Sequence, residues 1–192
     1  MKVAFSRQRL AKRVNQLGRA ISKDYAGKTL DVVVMIDSSF LFAADLIRRI
    51  SGPVVCHFVR AQMRDVRLGG YERREIFFSD PPALHRRDVL VVDAVLNTGV
   101  TQDFLLKRLE EARPRSLRLA VLFDKSAARR VNVKPAYTGF LGASKEWVGY
   151  GLPGRRGVYR NLPHVATIGP RRASGGHKRI HKAARSLQST TR

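Results

Sequence analysis

The sequence has few cysteines and no long apolar runs. It contains one cysteine in 192 residues, and no apolar run approaches the ~20 residues that a membrane-spanning helix needs. A single cysteine excludes an intrachain disulfide, and Cys56 lies in an apolar run, where a core position is more common than a reactive one. The N-terminus lacks the apolar segment of a secretory signal. These absences favour a protein of the reducing cytoplasm with no membrane partner.

Acidic residues are also scarce. Fifteen Asp and Glu stand against 37 Lys and Arg, which gives a net charge of +22. Such a surface attracts polyanions through phosphate contacts and counterion release. Residues 170–192 carry seven of the Lys and Arg, no acid and no convincing apolar face. We therefore expect a disordered basic tail after a domain spanning residues 1–169.

Apolar periodicity predicts alternating helices and strands. Helical spacing after Ser6, a suitable N-cap, predicts an amphipathic helix over residues 6–25. Its basic face is either simply solvated or a polyanion contact. Continuous apolar runs predict strands that are covered on both faces. These runs lie at residues 30–36, 53–59, 89–96 and 117–123. Helices are predicted at residues 40–50 and 101–112, a hairpin arm at 71–78, and a small subdomain from pieces at 137–141 and 147–150. The alternation implies a mainly parallel sheet flanked by helices.

One loop has the composition of a phosphate cradle. The predicted strand that ends at Leu96 runs into Asn97, Thr98 and Gly99, and a helix follows. Backbone N–H groups at a helix start favour an anion, Gly99 permits close approach, and threonine hydroxyls can donate hydrogen bonds. In open α/β sheets, ligands collect beyond the carboxyl ends of parallel strands. The spacing alone allows either a phosphate site or an ordinary turn with an N-cap.

The strand and loop at residues 89–101 resemble the ribose-phosphate signature of type I phosphoribosyltransferases. In that signature two acids, two apolar residues and Asp-Thr-Gly-x-Thr follow a strand. Further segments resemble, in chain order, parts of the hypoxanthine-guanine branch: FAADL at 42–46, VKPAYTGF at 133–140, VGYGL at 148–152 and YRNLPHV at 159–165. The resemblance covers roughly residues 5–168. It implies a type I phosphoribosyltransferase fold with a small hood subdomain, a homo-oligomer, and Mg²⁺ as cofactor if the protein is active.

The resemblance also implies roles for individual residues. Three groups of contacts carry over: phosphate and ribose contacts at Asp93, Thr98, Gly99, Val100 and Thr101, purine contacts at Lys125, Trp147 and Val148, and pyrophosphate-side contacts at Asp37, Ser38 and Arg160. The aromatic that stacks on the purine falls on Glu146, and a register shift would put Trp147 there instead. The alternative interpretations are that Lys125 is a solvated residue after a strand and that Trp147 is a core residue.

Several positions depart from the family pattern. The presumed general base falls on Asn97, and an amide cannot take up a proton. The second acid of the pair is Ala94, and an acid that helps to hold Mg²⁺ is Pro153. Asp37 places a carboxylate where the pyrophosphate would bind, which is repulsive unless a metal ion intervenes. No set of metal ligands is predicted.

Two functional hypotheses follow. The first is a pseudoenzyme that binds RNA or a ribonucleoprotein through its basic surface, with a nucleotide 5′-phosphate in the loop. Its predicted nucleic-acid contacts are Arg129, Arg130, Arg155, Arg156, Arg171, Arg172, Lys178, Arg179 and Lys182. The alternative is an active enzyme of purine salvage, which makes IMP or GMP from hypoxanthine or guanine and phosphoribosyl pyrophosphate.

Overall fold

The structure, a computed structural model, describes residues 1–68, 71–77, 82–142 and 146–168. Between residues 62 and 77 the description covers the backbone of two strands and no side chains. The predicted basic tail lies outside the described residues, and so do five of the predicted nucleic-acid contacts: Arg171, Arg172, Lys178, Arg179 and Lys182.

Strands and helices alternate through most of the chain. The strands are β1 (Lys2–Phe5), β2 (Leu30–Ile36), β3 (Val54–Arg60), β4 (Gln62–Leu68), β5 (Tyr71–Phe77), β6 (Asp88–Leu96), β7 (Ser116–Asp124), β8 (Tyr137–Leu141), β9 (Trp147–Val148) and β10 (Val165–Thr167). The α-helices are α1 (Arg7–Asp24), α2 (Phe40–Ile47) and α3 (Val100–Glu110). Helix α1 begins where predicted, because the Ser6 hydroxyl accepts a hydrogen bond from the Arg9 N–H at 3.3 Å.

The main sheet has five strands in the order β3-β2-β6-β7-β8, and every neighbouring pair is parallel. Its two faces are both covered. Val32 and Leu90 face the core under α1 and α2, while Val33 and Val91 face the core under α3. This confirms the predicted parallel sheet with helices on both sides. In the part of the chain that the structure describes, no helix is both long and apolar enough to cross a membrane.

The remaining strands form two small antiparallel sheets. One has the order β1-β10-β9, so the N-terminal strand pairs with the strand that ends at Thr167. The other is the β4–β5 hairpin, which confirms the predicted arm. The prediction that residues 137–141 belong to the subdomain is wrong. They form β8 at the edge of the main sheet, where Gly139 packs so closely on β7 that a Cβ would lie 2.4 Å from the Leu122 oxygen.

The parallel sheet gathers three loops at one edge. The chain leaves β2 into residues 37–39, β6 into residues 97–99, and β7 into Lys125. Helices α2 and α3 begin directly after the first two of these loops. The carboxyl edge of the sheet is therefore where the predicted site residues meet.

Candidate functional site

The loop at residues 97–101 has the geometry of an anion cradle. Gly99 is the N-cap of α3, with φ of 84°, in the left-handed region that favours glycine. A Cβ there would lie 3.0 Å from both the Arg129 Cδ and the Val131 Cγ2 atoms. Since glycine has no side chain to cap the helix, the first N–H groups of α3 are left for a ligand or water. Thr98 and Thr101, on either side of Gly99, are each half-buried.

Asp93, on β6, is a buried residue that accepts hydrogen bonds from several parts of the site. The Ser39 hydroxyl donates to Asp93 Oδ1 at 2.7 Å, and the Gln102 amide donates to Oδ2 at 2.5 Å. The backbone N–H of Ala94 also donates to Oδ1, at 2.6 Å. Burial raises the pKa of Asp93, although these donated hydrogen bonds oppose the shift. Asp93 thus links the loop after β2, strand β6 and helix α3, and at 7% exposed it offers little surface to a ribose.

A cavity of about 620 Å³ opens beside the loop. This volume is within the range of small-molecule sites, roughly 300–1,000 Å³. It is lined by Asn97, Thr98, Lys125, Ala127, Ala128, Arg129, Arg130 and Glu146. The structure therefore brings the start of the phosphate loop together with the residue at the predicted purine position. Two backbone hydrogen bonds fix this arrangement: Lys125 N–H to the Leu96 oxygen at 2.9 Å, and Arg130 N–H to the Thr98 oxygen at 2.9 Å.

Lys125 lines the cavity beside Trp147. Its Nζ is 4.9 Å from the ring centroid of Trp147, over the face of that ring. Burial lowers the pKa of Lys125, and the charge of Glu146 opposes that shift. A half-buried ammonium in such a cavity interacts more strongly with a carbonyl oxygen than it would in water.

Trp147 has the environment of a core residue. Its ring lies 5.5 Å from that of Phe5 in an edge contact and 4.6 Å from that of Phe123. Stacking on a purine would require Lys125 to leave the ring face that it covers. Val148 is 2% exposed, so its side chain is unavailable to a ligand. Glu146 lines the cavity at the position of the family's stacking aromatic.

The predicted pyrophosphate side also comes together. Gly151 has φ of 89°, and a Cβ there would lie 2.5 Å from the Ser38 oxygen. The Arg160 guanidinium donates to the Gly151 oxygen at 2.9 Å, so Arg160 reaches the Asp37–Ser38 turn through one backbone contact. Arg60 was not among the residues predicted for the pyrophosphate side; its guanidinium donates to Asp37 Oδ1 at 2.9 Å.

The predicted nucleic-acid contacts lie in different surroundings. The Arg129 guanidinium is enclosed, where it pairs with Asp124 and donates to the Val133 oxygen at 2.7 Å. Arg130 lines the cavity. Arg155 and Arg156 are exposed, in a short 3₁₀ turn where Arg156 has φ of 59°. Three of these four, Arg130, Arg155 and Arg156, are therefore exposed, and Arg129 is not.

The residues present do not fit a protein-held metal. Both carboxylate oxygens of Asp93 accept hydrogen bonds within the protein, and Pro153 has no side-chain oxygen. Among the residues whose side chains the structure describes, 1–61, 82–142 and 146–168, no group of three or more His, Cys, Asp or Glu could hold an ion.

The family model for the phosphoribosyl transferase domain matches residues 5–152. The chain belongs to this family. It is 32% identical over 158 residues to a hypoxanthine-guanine phosphoribosyltransferase of Staphylococcus aureus strain N315, with 81% of this chain and 86% of that protein aligned. It is 30% identical to the Lactococcus lactis protein of the same name, over 88% of this chain and 91% of that one.

Solved structures of phosphoribosyltransferases agree with this assignment. A Bacillus anthracis hypoxanthine-guanine phosphoribosyltransferase superposes with a TM-score of 0.78 at 29% identity, covering 87% of this chain and 96% of that one. A hypoxanthine phosphoribosyltransferase from Staphylococcus aureus gives a TM-score of 0.79 at 28% identity, over 88% and 92% of the two chains. The chain is thus a type I phosphoribosyltransferase that resembles the hypoxanthine-guanine branch.

Proposed function

We propose that this phosphoribosyltransferase joins hypoxanthine or guanine to phosphoribosyl pyrophosphate, making IMP or GMP in purine salvage. The observation that carries the proposal is the 620 Å³ cavity, which places Asn97 and Thr98 of the phosphate loop opposite Lys125. The relatives aligned over most of their length are named for this purine reaction. They support it in preference to the RNA-binding hypothesis.

In the proposed reaction, the N9–C1′ bond forms and the C1′–oxygen bond to pyrophosphate breaks, while the purine loses a proton to water. The 5′-phosphate binds the N–H groups at the start of α3 and the hydroxyls of Thr98 and Thr101. Lys125 donates to the 6-oxo oxygen of the purine. Pyrophosphate leaves on the side of Ser38 and Arg160, two residues that contact each other through Gly151.

Proton transfer is the weak step of this mechanism. General base catalysis typically contributes about 10²–10⁴-fold, and the Asn97 amide cannot supply it. The remaining acceleration comes from positioning and from electrostatic stabilisation of the leaving pyrophosphate. Mg²⁺ enters as part of the phosphoribosyl pyrophosphate substrate, since this ion is commonly held by substrate phosphates. We therefore expect slow turnover that depends on Mg²⁺.

Nucleotide synthesis tests the proposal directly. Guanine and hypoxanthine are incubated with phosphoribosyl pyrophosphate and Mg²⁺, and the product is followed by absorbance. We expect measurable synthesis by the wild type and an increase in kcat of about 10²-fold or more for Asn97→Asp. Asn132→Asp makes the same chemical change on an exposed residue and is expected to leave the rate unaltered.

Calorimetry of GMP separates binding from catalysis. The proposed function is wrong if three results are found together: the wild type makes no nucleotide, Asn97→Asp restores no synthesis, and GMP does not bind.

RNA binding is a second candidate function, and it rests on the net charge of +22. It predicts an affinity that falls steeply as salt is raised, and an affinity independent of salt would exclude it. The homo-oligomer implied by the family stays a prediction.

A further inference from the structure

An exposed ion pair stands at the proposed pyrophosphate side. Asp37 follows β2 directly and Arg60 is the last residue of β3, with Ile36 and Arg60 level across the two parallel strands. The Arg60 guanidinium lies 2.9 Å from Asp37 Oδ1, and the two side chains are 57% and 52% exposed. Such open surface pairs add little to stability. The pair is accessible, and a stronger anion can compete for its cation.

The position of the pair connects it to the loop that would meet pyrophosphate. Arg60 contacts the loop through Asp37, and Arg160 approaches it through Gly151, which abuts the Ser38 oxygen. The Arg60 guanidinium therefore contacts this short turn directly, and the Arg160 guanidinium binds the backbone of the neighbouring Gly151. Guanidinium groups bind phosphate oxygens in a bidentate geometry, which suits them to a pyrophosphate.

The ion pair also changes the electrostatic effect of the Asp37 carboxylate on this loop. An unpaired Asp37 would repel pyrophosphate, and the sequence offered no cation to offset it. In the structure Arg60 neutralises Asp37. A pyrophosphate carries several negative charges, so it attracts the guanidinium more strongly than a single carboxylate does.

We propose that Arg60 is a pyrophosphate-binding residue that exchanges partners. Asp37 holds the Arg60 guanidinium in the empty site, and the pyrophosphate group of the substrate displaces Asp37 when it binds. After the exchange, the uncovered carboxylate lies beside the pyrophosphate and weakens its hold. Asp37 is thus a positioning residue that limits pyrophosphate affinity and favours release of the product. This inference rests on the proposed function and adds a residue pair to it.

Titration calorimetry with inorganic pyrophosphate and Mg²⁺ tests the exchange on the full chain. Arg60→Gln is expected to weaken pyrophosphate binding about tenfold or more, as for loss of a hydrogen bond to a charged group. Asp37→Asn is expected to tighten it severalfold, because the competing carboxylate is gone. In the double variant the two effects are expected to be non-additive, since each residue acts through the other.

A matched control separates the local effect from the change in net charge. Arg108→Gln breaks an equally exposed pair with Glu111 at the far end of α3 and is expected to leave pyrophosphate affinity within about twofold. GMP affinity should be unaltered in Arg60→Gln and Asp37→Asn. The exchange is overturned if Arg60→Gln matches Arg108→Gln, or if Asp37→Asn weakens binding. If the wild type binds neither GMP nor pyrophosphate, the proposed function itself fails.

Discussion

Replacing Asp93 by asparagine should change how stability depends on pH. Asp93 is 7% exposed and accepts hydrogen bonds from Ser39, Ala94 and Gln102. An asparagine of the same shape can accept from Ser39 and Ala94 through its oxygen. The Gln102 amide can rotate to accept from the new NH₂ group, so the hydrogen bonds are largely kept. What the substitution removes is the buried charge.

The sign follows from the raised pKa of Asp93. A carboxyl whose pKa is higher in the folded state contributes stability that is fully present below its unfolded pKa, about 3.9, and is lost as pH rises through the folded pKa. The uncharged asparagine side chain of the variant has no such loss. The free energy of unfolding of Asp93→Asn relative to wild type should therefore rise with pH above about 4. The slope is at most about 1.4 kcal/mol per pH unit, the value for one proton.

Urea unfolding of both proteins at half-unit steps from about pH 2.5 to 8 measures this difference. Asp88→Asn is a control of opposite sign. Burial raises the pKa of Asp88, but a hydrogen bond from Ser116 and the charges of Lys28 and Arg115 outweigh that effect and lower it. Asp88→Asn should be most destabilised at neutral pH, with the deficit shrinking as pH falls below about 4. A difference for Asp93→Asn that is flat or falls with pH would refute the argument.

Three further predictions concern single residues. Gly99→Ala and Gly157→Ala both place alanine at positive φ, at a cost of about 1–2 kcal/mol. A Cβ at Gly99 would press on Arg129 and Val131, whereas a Cβ at Gly157 would meet nothing within 4 Å. Calorimetry with GMP should therefore show a loss of nucleotide affinity for Gly99→Ala and none for Gly157→Ala. Lys125→Met should weaken GMP binding about tenfold while pyrophosphate affinity is kept. Burial and the hydrogen bond to Asp24 raise the pKa of Tyr137 to about 12. Its stabilising contribution should be lost between pH 10 and 12, and a difference absorbance titration against Tyr137→Phe should show one late-ionising tyrosine.

The main sheet could be predicted because burial on both faces leaves a direct signature in sequence. A run such as β2 admits almost no polar residue, whichever side of the strand is considered. Strand β1 offered no such signal, since only Phe5 of its four residues is buried. The failure to predict β1 affected the assignment of Trp147 in the candidate site. Without the contact between Phe5 and its ring, the sequence favoured a core position for Trp147 but left a purine contact open.

The site was predictable where its residues are consecutive. The candidate phosphate loop occupies five consecutive positions, 97–101, so its composition and spacing already indicate an anion site or a turn with an N-cap. The contacts of Asp93 with Ser39 and of Asp37 with Arg60 join residues 54 and 23 positions apart. Such pairs depend on which strands are neighbours and in what register. Once β2 and β3 are known to be level at Ile36 and Arg60, the second pair follows.

The pairing of β1 with β10 places the two ends of the described domain side by side, with Lys2 level with Thr167. A protein whose ends adjoin can be closed into a ring by a short linker and opened at a surface loop. In such a permuted chain the β1–β10 contact would change from the longest-range contact in the domain to one of the most local. Because folding rates rise as contacts become local, this permutation should speed folding while the carboxyl-edge site keeps its geometry.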